Sequence, residues 1–347
     1  MINIIFFPDG DSKTAYPSKL CNQISKEKNI KIRFLKLSIL SIIKIYIKIL
    51  THIVRKTNLI INTHHLKGAF SIFIIKVLFK LNKYKNIKWI HTFHAENWRF
   101  KGIKRILNYI IYKRCDYLVG NSDQVTLQWM NFLNKKNIIT INNGISNKEY
   151  LIIKNTNKTL NEVIKIVWVG RLEKIKNPLL IIEALDKIIS KHKRIDLMII
   201  GSGSLFKKVK NQIKIFASKK ENKNINIKIY PHMGRRKVLE NIGDAKIYLN
   251  TSSSESFCNA AMESLVNENC YLILPNLNTL KNIYKFKNVK FYKTNSAKEC
   301  ARTLDDLIQK IKLNRISKTN RTFPARFKLE NAAKEYARLY KKVLSKS

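Results

Sequence analysis

The sequence predicts an α/β protein made of two doubly wound domains. Its strand-like runs are continuous stretches of Ile, Val and Leu, and they alternate with helix-like stretches along the 347 residues. Such strands are typical of parallel sheets that are covered by helices on both faces. The alternation stops at a polar segment over residues 154–161 and then restarts, which indicates a linker between two domains. Ligands of such folds bind at the carboxyl ends of the strands, so the chemically active residues are expected there.

Six apolar runs predict the sheet of the first domain, which we place at residues 1–155. The predicted strands cover residues 2–7, 30–37, 59–62, 87–92, 117–119 and 138–141. These runs are short and rich in β-branched residues, as buried strands are. Longer stretches between them predict helices, among them residues 18–28, 39–55, 68–81 and 101–114.

The same pattern predicts a second domain at residues 162–325, followed by a helical tail at 326–347. Its strands are predicted at residues 163–169, 196–200, 225–230, 246–249, 271–274 and 289–292. Helices are predicted at 204–219, 236–242, from about 259, at 297–312 and at 329–344. Asn177 and Pro178 predict the start of a further helix that runs to about residue 191, because Asn caps helices and Pro suits their first position.

The chain carries a large excess of positive charge. Its formal net charge is +44, from 67 Lys and Arg against 23 Asp and Glu. This excess favours an anionic partner, which could be a nucleic acid, an anionic lipid or a phosphorylated substrate. A compositional origin is the alternative, since Ile, Asn and Lys are all abundant, as in proteins of AT-rich genomes.

Cysteine usage fits a reducing cytoplasm, and the hydropathy pattern predicts no transmembrane helix. The five cysteines are scattered and form no C-x-x-C pair, which argues against a disulfide framework and against a zinc site. The chain opens without the basic segment of a signal peptide. Lys36, Lys44 and Lys48 interrupt its most apolar segment, so no uncharged run approaches the roughly 18 residues of a transmembrane helix.

Two carboxylates flank a predicted helix start in the stretch over residues 249–269. Glu255 ends a Ser-rich loop that follows a short strand, and Glu263 lies in the second turn of the helix from Asn259. The backbone N–H groups of a helix start favour phosphate, whereas a Glu at that point would repel it. Glu does accept hydrogen bonds from sugar hydroxyls. The stretch therefore predicts a ligand with both phosphates and sugars, such as a nucleotide.

A second motif follows the first strand of the second domain. Gly170 allows a sharp turn there, and Arg171 and Lys176 stand in the loop before the predicted helix at Asn177. Two cations beside a helix start would hold a diphosphate without a metal. The alternative is that both side chains are simply solvated, as is usual for Lys and Arg in loops.

Taken together, these motifs resemble the retaining GT-B glycosyltransferases of family 4. The resemblance rests on Gly170-Arg171-Leu172 with Lys176, on Gly201-Ser202-Gly203, and on Glu255 with Glu263, in this order and spacing. Residues 326–340 resemble the closing helix of that family, which crosses back to the first domain. Residues 115–122 and 141–145 are similar to two of its first-domain segments. The resemblance implies a GT-B fold, in which two Rossmann-like domains face each other across a cleft.

The resemblance also implies a donor site in the second domain. Arg171 and Lys176, at the Gly170 turn, would bind the donor diphosphate and stabilise its charge as it leaves. Glu263 would accept from the nucleotide ribose, and Glu255 would contact the donor sugar. Backbone N–H groups near Phe257, Cys258 and Asn259 would touch sugar or phosphate.

His94, at the end of a first-domain strand, matches a position where the family often has a histidine near the reacting centre. His91 is the less favoured choice, because it lies within the strand. The resemblance thus assigns catalysis to His94, Glu255, Arg171 and Lys176. It implies no metal and no cofactor. Accordingly, we interpret Asp9-Gly10-Asp11, after the first strand, as a turn rather than a metal site.

Three departures from the family pattern bear on the substrates. Phe257-Cys258 stands where the family usually has Phe-Gly, so a side chain could narrow the sugar pocket. Residues 8–12 replace the usual glycine pair of a loop that meets the acceptor or the phosphate. Ser146 replaces an acidic residue.

The predicted helix over residues 39–56 has apolar side chains on most sides and Lys44, Lys48, Arg55 and Lys56 on one face. This pattern is typical of an interfacial helix, although a core helix with solvated lysines remains the alternative. An anionic leaflet would attract such a helix, and a lipid-linked acceptor would sit in that leaflet.

The function predicted from the sequence is a retaining glycosyltransferase, peripheral on the inner face of the cytoplasmic membrane. It would transfer a sugar from a nucleoside-diphosphate donor, expected to be a UDP-sugar, to a lipid-linked or growing saccharide. The expected pathway is the assembly of a surface polysaccharide such as O-antigen, capsule or lipopolysaccharide. The alternatives are a nucleotide-sugar epimerase or hydrolase on the same fold and, more distantly, a nucleic-acid-binding protein. Dispersed basic residues and the lack of a recognisable nucleic-acid motif argue against the last of these.

Overall fold

The structure is a computed structural model that describes residues 2–7, 15–34, 39–156, 163–188, 194–219, 225–313 and 322–345. The chain divides into two compact units. Unit 1 comprises Met1–Ser146 and Ala325–Ser347, and unit 2 comprises Asn147–Pro324. Each unit contains a six-stranded parallel sheet with helices, in agreement with the predicted α/β fold.

The strands of the unit 1 sheet lie in the order β2-β1-β3-β4-β5-β6. They are β1 (Ile2–Phe7), β2 (Ile30–Phe34), β3 (Leu59–Thr63), β4 (Ile87–Phe93), β5 (Tyr117–Gly120) and β6 (Ile138–Thr140). The helices between them are α1 (Tyr16–Ile24), α2 (Ile39–Val54), α3 (Leu66–Leu78), α4 (Ile103–Lys113) and α5 (Asp123–Leu133). All strand pairs in this sheet are parallel.

Unit 2 repeats this design with the strand order β12-β11-β10-β7-β8-β9. Its strands are β7 (Ile164–Val169), β8 (Ile195–Ile200), β9 (Ile225–Tyr230), β10 (Ile247–Leu249), β11 (Tyr271–Pro275) and β12 (Val289–Tyr292). Its helices are α6 (Asn147–Lys154), α7 (Leu179–Asp186), α8 (Phe206–Ser218), α9 (Arg235–Asp244), α10 (Asn259–Ser264), α11 (Asn278–Ile283) and α12 (Ala297–Lys312). The last helix, α13 (Leu329–Ser345), belongs to unit 1.

Two hydrophobic clusters cover the two faces of the unit 1 sheet. All five residues of β3 are buried, and their alternation sends Leu59 and Ile61 into one cluster and Ile60 into the other. The first cluster takes buried side chains from α2, α3, α4 and α5, and the second takes them from α1 and α13. Helices on both faces explain why the strands read as continuous apolar runs.

The core of unit 2 is built in the same way. Ile166 and Trp168 of β7 pack in one cluster with buried side chains of α7, α8 and α12. α6 packs against α9, so it belongs to unit 2 by its contacts. The sequence instead predicts that residues 147–154 precede the interdomain linker. Residues 157–162 of that linker lie outside the described residues.

Several element boundaries differ from the predicted ones. The helix predicted from Asn177 begins later, since Pro178 is the N-cap residue and Leu179 is the first helical residue. Asn177 instead adopts a left-handed conformation with φ 43°, and it ends a 3₁₀ turn over Lys174–Lys176. Asn is one of the few residues that tolerate this conformation. The strand predicted at residues 30–37 is described only as far as Phe34.

Among the residues that the structure describes, no helix combines the length and the apolar character needed to cross a membrane. In the same ranges, no group of three His, Cys, Asp or Glu side chains is arranged to hold a metal ion. The predicted turn at Asp9-Gly10-Asp11 lies outside these ranges.

Candidate functional site

Two loops of unit 2 meet at the carboxyl ends of β7 and β10. The two strands are parallel neighbours, so the chain leaves both of them at the same edge of the sheet. The backbone N–H of Ser253 donates to the carbonyl oxygen of Ile175 over 2.9 Å. The Thr251 hydroxyl donates to the carbonyl oxygen of Lys176 over 2.8 Å and accepts from the Trp168 indole over 2.8 Å. These bonds hold the Ser-rich loop against the loop that carries the predicted cations.

This contact brings Lys176 and Glu255 together. Lys176 Nζ lies 2.5 Å from Glu255 Oε1, and the Glu255 side chain is only 7% exposed. The Ser252 hydroxyl and the Asn250 amide donate to the same oxygen over 2.7 and 3.1 Å. Burial by itself would raise the pKa of Glu255, but these partners lower it below its ordinary value. Glu255 is therefore a carboxylate at neutral pH.

The loop after β8 packs against the same turn. Gly201 has φ 149°, and a Cβ atom there would lie 1.8 Å from the carbonyl oxygen of Gly170. Only glycine fits so close an approach of two backbones. The N–H of Leu172 donates to the carbonyl oxygen of Ser202 over 2.8 Å. The Gly170 turn is thus fixed from two sides.

Arg171 is exposed on this turn. Nearby, Glu173 accepts from the backbone N–H and the hydroxyl of Ser204 over 3.0 and 2.7 Å. These hydrogen bonds, with the charge of Arg171, lower the pKa of Glu173. The structure therefore keeps Arg171 on the same loop as Lys176, while Lys176 alone of the two contacts Glu255.

Glu263 is buried in α10 and is paired with an arginine that the sequence analysis did not identify. Arg235 donates from Nη1 to Glu263 Oε2 over 3.1 Å and from Nη2 to Oε1 over 2.5 Å. Its Nε donates to Glu149 Oε1 over 2.8 Å. Burial lowers the pKa of Arg235, but the two carboxylates more than offset this and raise it. Two carboxylates on one guanidinium leave a formal excess of one negative charge.

A signal for Arg235 exists in the sequence. It is the first residue of α9, where the positive end of the helix dipole makes a cation unfavourable unless a carboxylate compensates it. The sequence analysis instead began this helix at Arg236. The partner Glu149 lies 86 residues away along the chain, and no local pattern pairs the two.

Cys258 is the N-cap residue of α10 and adopts a left-handed conformation with φ 67°. Its Sγ lies 3.4 Å from the Tyr248 hydroxyl and 3.2 Å from the Asn250 amide nitrogen. Burial raises the pKa of the Cys258 thiol to about 12, so the group stays protonated. The Tyr284 hydroxyl lies 2.8 Å from the carbonyl oxygens of both Phe257 and Cys258. A side chain therefore occupies a turn whose backbone geometry favours glycine.

His94 lies in unit 1, in a histidine cluster just after β3 and β4. Its Nε2 is 2.9 Å from Nδ1 of His64, and the His65 ring stacks on it at 5.8 Å between centroids. Burial, with repulsion from His65, lowers the pKa of His94 to about 3. His94 is therefore a neutral imidazole at pH 7.

His91 packs differently. It bonds Thr63 Oγ1 over 2.8 Å, and its ring stacks on Tyr112. His64 and His65 were missed by the sequence analysis, although two histidines directly after a buried strand were a signal.

Comparison with known proteins identifies the unit that carries these charged pairs. Residues 152–323, which cover most of unit 2, match the family model described as glycosyl transferases group 1. Unit 2 therefore resembles a glycosyl transferases group 1 domain. A search of curated protein sequences finds no significant match.

Solved structures similar to this chain extend the comparison to both units. The Anabaena protein Alr3699/HepE, in complex with UDP and glucose, is 12% identical with a TM-score of 0.77, over 99% of this chain and 100% of that one. Sucrose-phosphate synthase from Thermosynechococcus elongatus is 12% identical with a TM-score of 0.70, over 100% and 99% of the two chains. A glycosyltransferase from Rickettsia africae is 16% identical with a TM-score of 0.67, over 100% and 99%.

At these identities the structural likeness shows the fold alone, and this is the predicted GT-B fold. The domain and the fold together confirm the predicted enzyme class, a glycosyltransferase.

Proposed function

We propose that the protein is a retaining glycosyltransferase of family 4 that uses a nucleoside-diphosphate sugar as donor. The donor is a UDP-sugar, and the acceptor is a lipid-linked saccharide in the assembly of a surface polysaccharide. The proposal rests above all on one observation: Glu255 and Glu263 are buried carboxylates, paired with the partly exposed cations Lys176 and Arg235 on loops and helices that follow the unit 2 strands.

The two pairs suit the two ends of such a donor. The Glu263 cluster carries an excess negative charge, and each carboxylate oxygen has a second lone pair, so it accepts hydrogen bonds from ribose hydroxyls. Glu255 accepts from hydroxyls of the transferred sugar. Lys176 gives one of its three N–H donors to Glu255, and the others serve the diphosphate together with Arg171.

The chemistry places negative charge near these cations. The bond between the sugar's anomeric carbon and the diphosphate oxygen breaks, and the nucleoside diphosphate leaves with the electron pair. An acceptor oxygen bonds to the same carbon, and its proton passes to the leaving diphosphate oxygen. Lys176 and Arg171 stabilise the charge that grows on the leaving oxygens, which lowers the barrier without a metal ion. His94 of unit 1, a neutral imidazole, is proposed as a further catalytic residue.

Two observations support the finer parts of the proposal. Alr3699/HepE was solved with UDP, with UDP-glucose, and with UDP and glucose, which supports a uridine donor. The net charge of +44 supports binding to an anionic surface. The inner face of the cytoplasmic membrane is such a surface, and it would present a lipid-linked saccharide to the enzyme.

Thermal unfolding with UDP, GDP, ADP or CMP, each in EDTA and then in magnesium, tests the donor site. A nucleotide at 100 times its Kd stabilises the folded state by about 2.7 kcal/mol. We expect UDP to raise the melting temperature in EDTA. Arg171→Ala should weaken this shift with little loss of stability, because the side chain is exposed, and Arg236→Ala at an exposed position serves as the matched control. No shift from any nucleotide would contradict the proposed donor site.

Transfer of label from a UDP-sugar tests the reaction itself. Label in a lipid-extractable saccharide, with the donor's anomeric configuration kept, is the expected result. Label released to water, or recovered in an epimer of the donor, would make the protein a hydrolase or an epimerase instead. An inverted anomer would exclude the retaining mechanism.

A further inference from the structure

Unit 1 exposes three rows of large apolar side chains on α2, α3 and α4. Each row follows helical spacing and faces solvent. The rows are Ile43, Ile47, Leu50 and Val54; Phe70, Ile74, Val77 and Leu78; and Ile103, Ile106, Leu107 and Ile110. Their exposure ranges from 38% for Leu50 to 79% for Val54. Single exposed apolar residues are ordinary on protein surfaces, whereas contiguous ones mark an interaction site. We call these twelve residues the apolar face.

The three rows belong to one continuous surface. Buried side chains of α2, α3 and α4 all join the same hydrophobic cluster, so the three helices cover the same side of the unit 1 sheet. Tyr46 of α2 contacts Phe79 at the end of α3, with ring centroids 4.2 Å apart. α3 in turn packs against α4. The outward rows therefore lie side by side.

α2 presents three distinct faces. Ile45 and Ile49 point into the core. At 100° per residue, the row from Ile43 to Val54 forms a second face, and Lys44, Lys48 and Arg55 form a third face beside it. An apolar stripe flanked by cations is the pattern of a helix that lies in a membrane interface.

The charge around the apolar face has one sign. Between Glu27 and Glu96 the sequence contains fourteen Lys and Arg and no Asp or Glu. A cavity of about 390 Å³ opens beside α2, and its lining includes Lys31, Arg33, Lys48 and Arg55. Burial and repulsion from Arg33 and Lys44 lower the pKa of Lys48. An anion in this cavity would relieve that repulsion.

We infer that the apolar face docks unit 1 on an anionic phospholipid bilayer. The three rows enter the interfacial layer, and the surrounding cations, including those of the cavity, contact headgroup phosphates. An enzyme that acts on a lipid-linked saccharide must reach the membrane, so this docking surface deepens the proposed function. It rests on the proposed function only for the identity of the acceptor.

The same features disfavour other occupants. Nucleic acids are bound by cations and stacking aromatics, and eleven of the twelve exposed side chains of the apolar face are aliphatic. A second copy of the chain would bring two surfaces of the same positive charge together. An anionic bilayer alone matches both the apolar rows and their basic border.

Cosedimentation with lipid vesicles tests the inference without any nucleotide or turnover. We expect binding to vesicles of phosphatidylcholine with phosphatidylglycerol, weak binding to phosphatidylcholine alone, and partial release by salt. The triple variant Ile43→Ser, Ile47→Ser, Val54→Ser should lower the partition coefficient by about ten-fold or more, because its side chains no longer enter the interface. The pair Lys44→Gln and Arg55→Gln should lower it about five-fold per charge.

Matched controls come from unit 2. Ile215 on α8 is 55% exposed and lies among lysines, so Ile215→Ser removes a similar side chain outside the apolar face. Lys207→Gln with Lys208→Gln removes two exposed charges there. Both controls should bind vesicles nearly as the wild type does. Circular-dichroism melting of each variant establishes that it is folded.

Three results would overturn the inference. The first is equal vesicle binding by the wild type and the folded triple variant. The second is a soluble dimer that the triple variant converts to a monomer. The third is binding to oligonucleotides, but not to vesicles, that the Lys44 and Arg55 changes abolish. None of these depends on the UDP-induced shift in melting temperature, so failure of this inference and failure of the donor site are distinguishable.

Discussion

The two units share one architecture but differ in what stands at the carboxyl ends of their strands. In unit 2 this edge carries charges in pairs, with Lys176 on Glu255 and Arg235 on Glu263. In unit 1 it carries neutral rings, because burial lowers the pKa of His64 and of His94. The outer surfaces differ too, since only unit 1 exposes continuous apolar rows among the described residues.

Under the proposed function, this difference shows how one fold serves two tasks. A unit that handles a charged donor must keep charges inside its site, and burying them requires partners. A unit that handles a neutral hydroxyl acceptor needs polar groups without net charge, which a buried neutral imidazole provides.

The largest effect is expected from Arg235→Ala. The change leaves Glu149 and Glu263 buried without their shared cation, and breaking a buried pair from one side costs about 3–5 kcal/mol. Urea unfolding at pH 7 measures the loss. The adjacent Arg236 is 80% exposed and pairs with Glu240 on the same helix, so Arg236→Ala should change stability by about 0.5 kcal/mol or less. Equal losses in the two variants would mean that the Glu263 cluster is not a buried charge network.

A smaller effect is expected from the neutral histidines when the pH falls. The pKa of His94 is about 3 in the folded state and ordinarily about 6.5, so the unfolded state binds more protons between these values. The stability contributed by the neutral ring is complete above pH 6.5 and is lost as the pH falls towards 3. Between pH 7 and pH 5 the wild type should therefore lose about 2 kcal/mol more than His94→Gln.

Urea unfolding at the two pH values gives this difference. The exposed His232 of unit 2 provides a matched control, and His232→Gln should follow the wild type. A His94→Gln variant with the wild-type pH dependence would show that the ring is charged in the folded protein.

Glu255 should respond to acid in a different range. Its pKa is lowered in the folded state, so its stabilisation is complete above the ordinary carboxyl pKa of about 4.3 and is lost as the pH falls through the lower folded value. Glu255→Gln should cost about 1.5 kcal/mol at pH 7, and the cost should shrink below pH 4. Unfolding curves between pH 7 and pH 3.5 measure it. Glu240→Gln, in an exposed pair, is the matched control and should cost about 0.5 kcal/mol or less at pH 7.

The sequence predicted the fold because the fold depends on patterns that repeat. β1 and β9 were predicted to the residue, since each is a short apolar run between polar segments. Lys176 and Glu255 meet because their loops leave the neighbouring parallel strands β7 and β10. Strand topology thus carries information about partners that lie 79 residues apart.

Features that depend on particular side-chain partners could not be predicted in this way. The Arg235 cluster joins three helices, α6, α9 and α10, and no periodic pattern encodes which charges meet. Asn177 was taken for a helix cap, yet its left-handed conformation is set by the preceding 3₁₀ turn. The apolar face could not be predicted without knowing which side of α2, α3 and α4 packs against the core.

The smallest effect, and one of opposite sign, is expected from Cys258→Gly. Cys258 holds φ at 67°, a conformation that costs a residue with a side chain about 1 kcal/mol more than glycine. Removing the thiol loses its contacts with Tyr248 and Asn250, but Asn250 keeps its bond to Glu255. We therefore expect a net gain of about 0.5 kcal/mol, measured as a higher urea midpoint.

Cys300 makes the sign of this prediction testable. It is fully buried within α12 in an ordinary helical conformation, so Cys300→Gly should destabilise the protein by about 1 kcal/mol or more. If Cys258→Gly also destabilised by that amount, the thiol's contacts would outweigh the backbone strain. Cys258→Gly is expected to raise the stability and Cys300→Gly to lower it. This difference would show that the backbone is strained at the α10 turn, where Cys258 lies beside Glu255 and Lys176. Under the proposed function this turn meets the donor sugar, and Cys258→Gly should widen the range of sugars that the enzyme transfers.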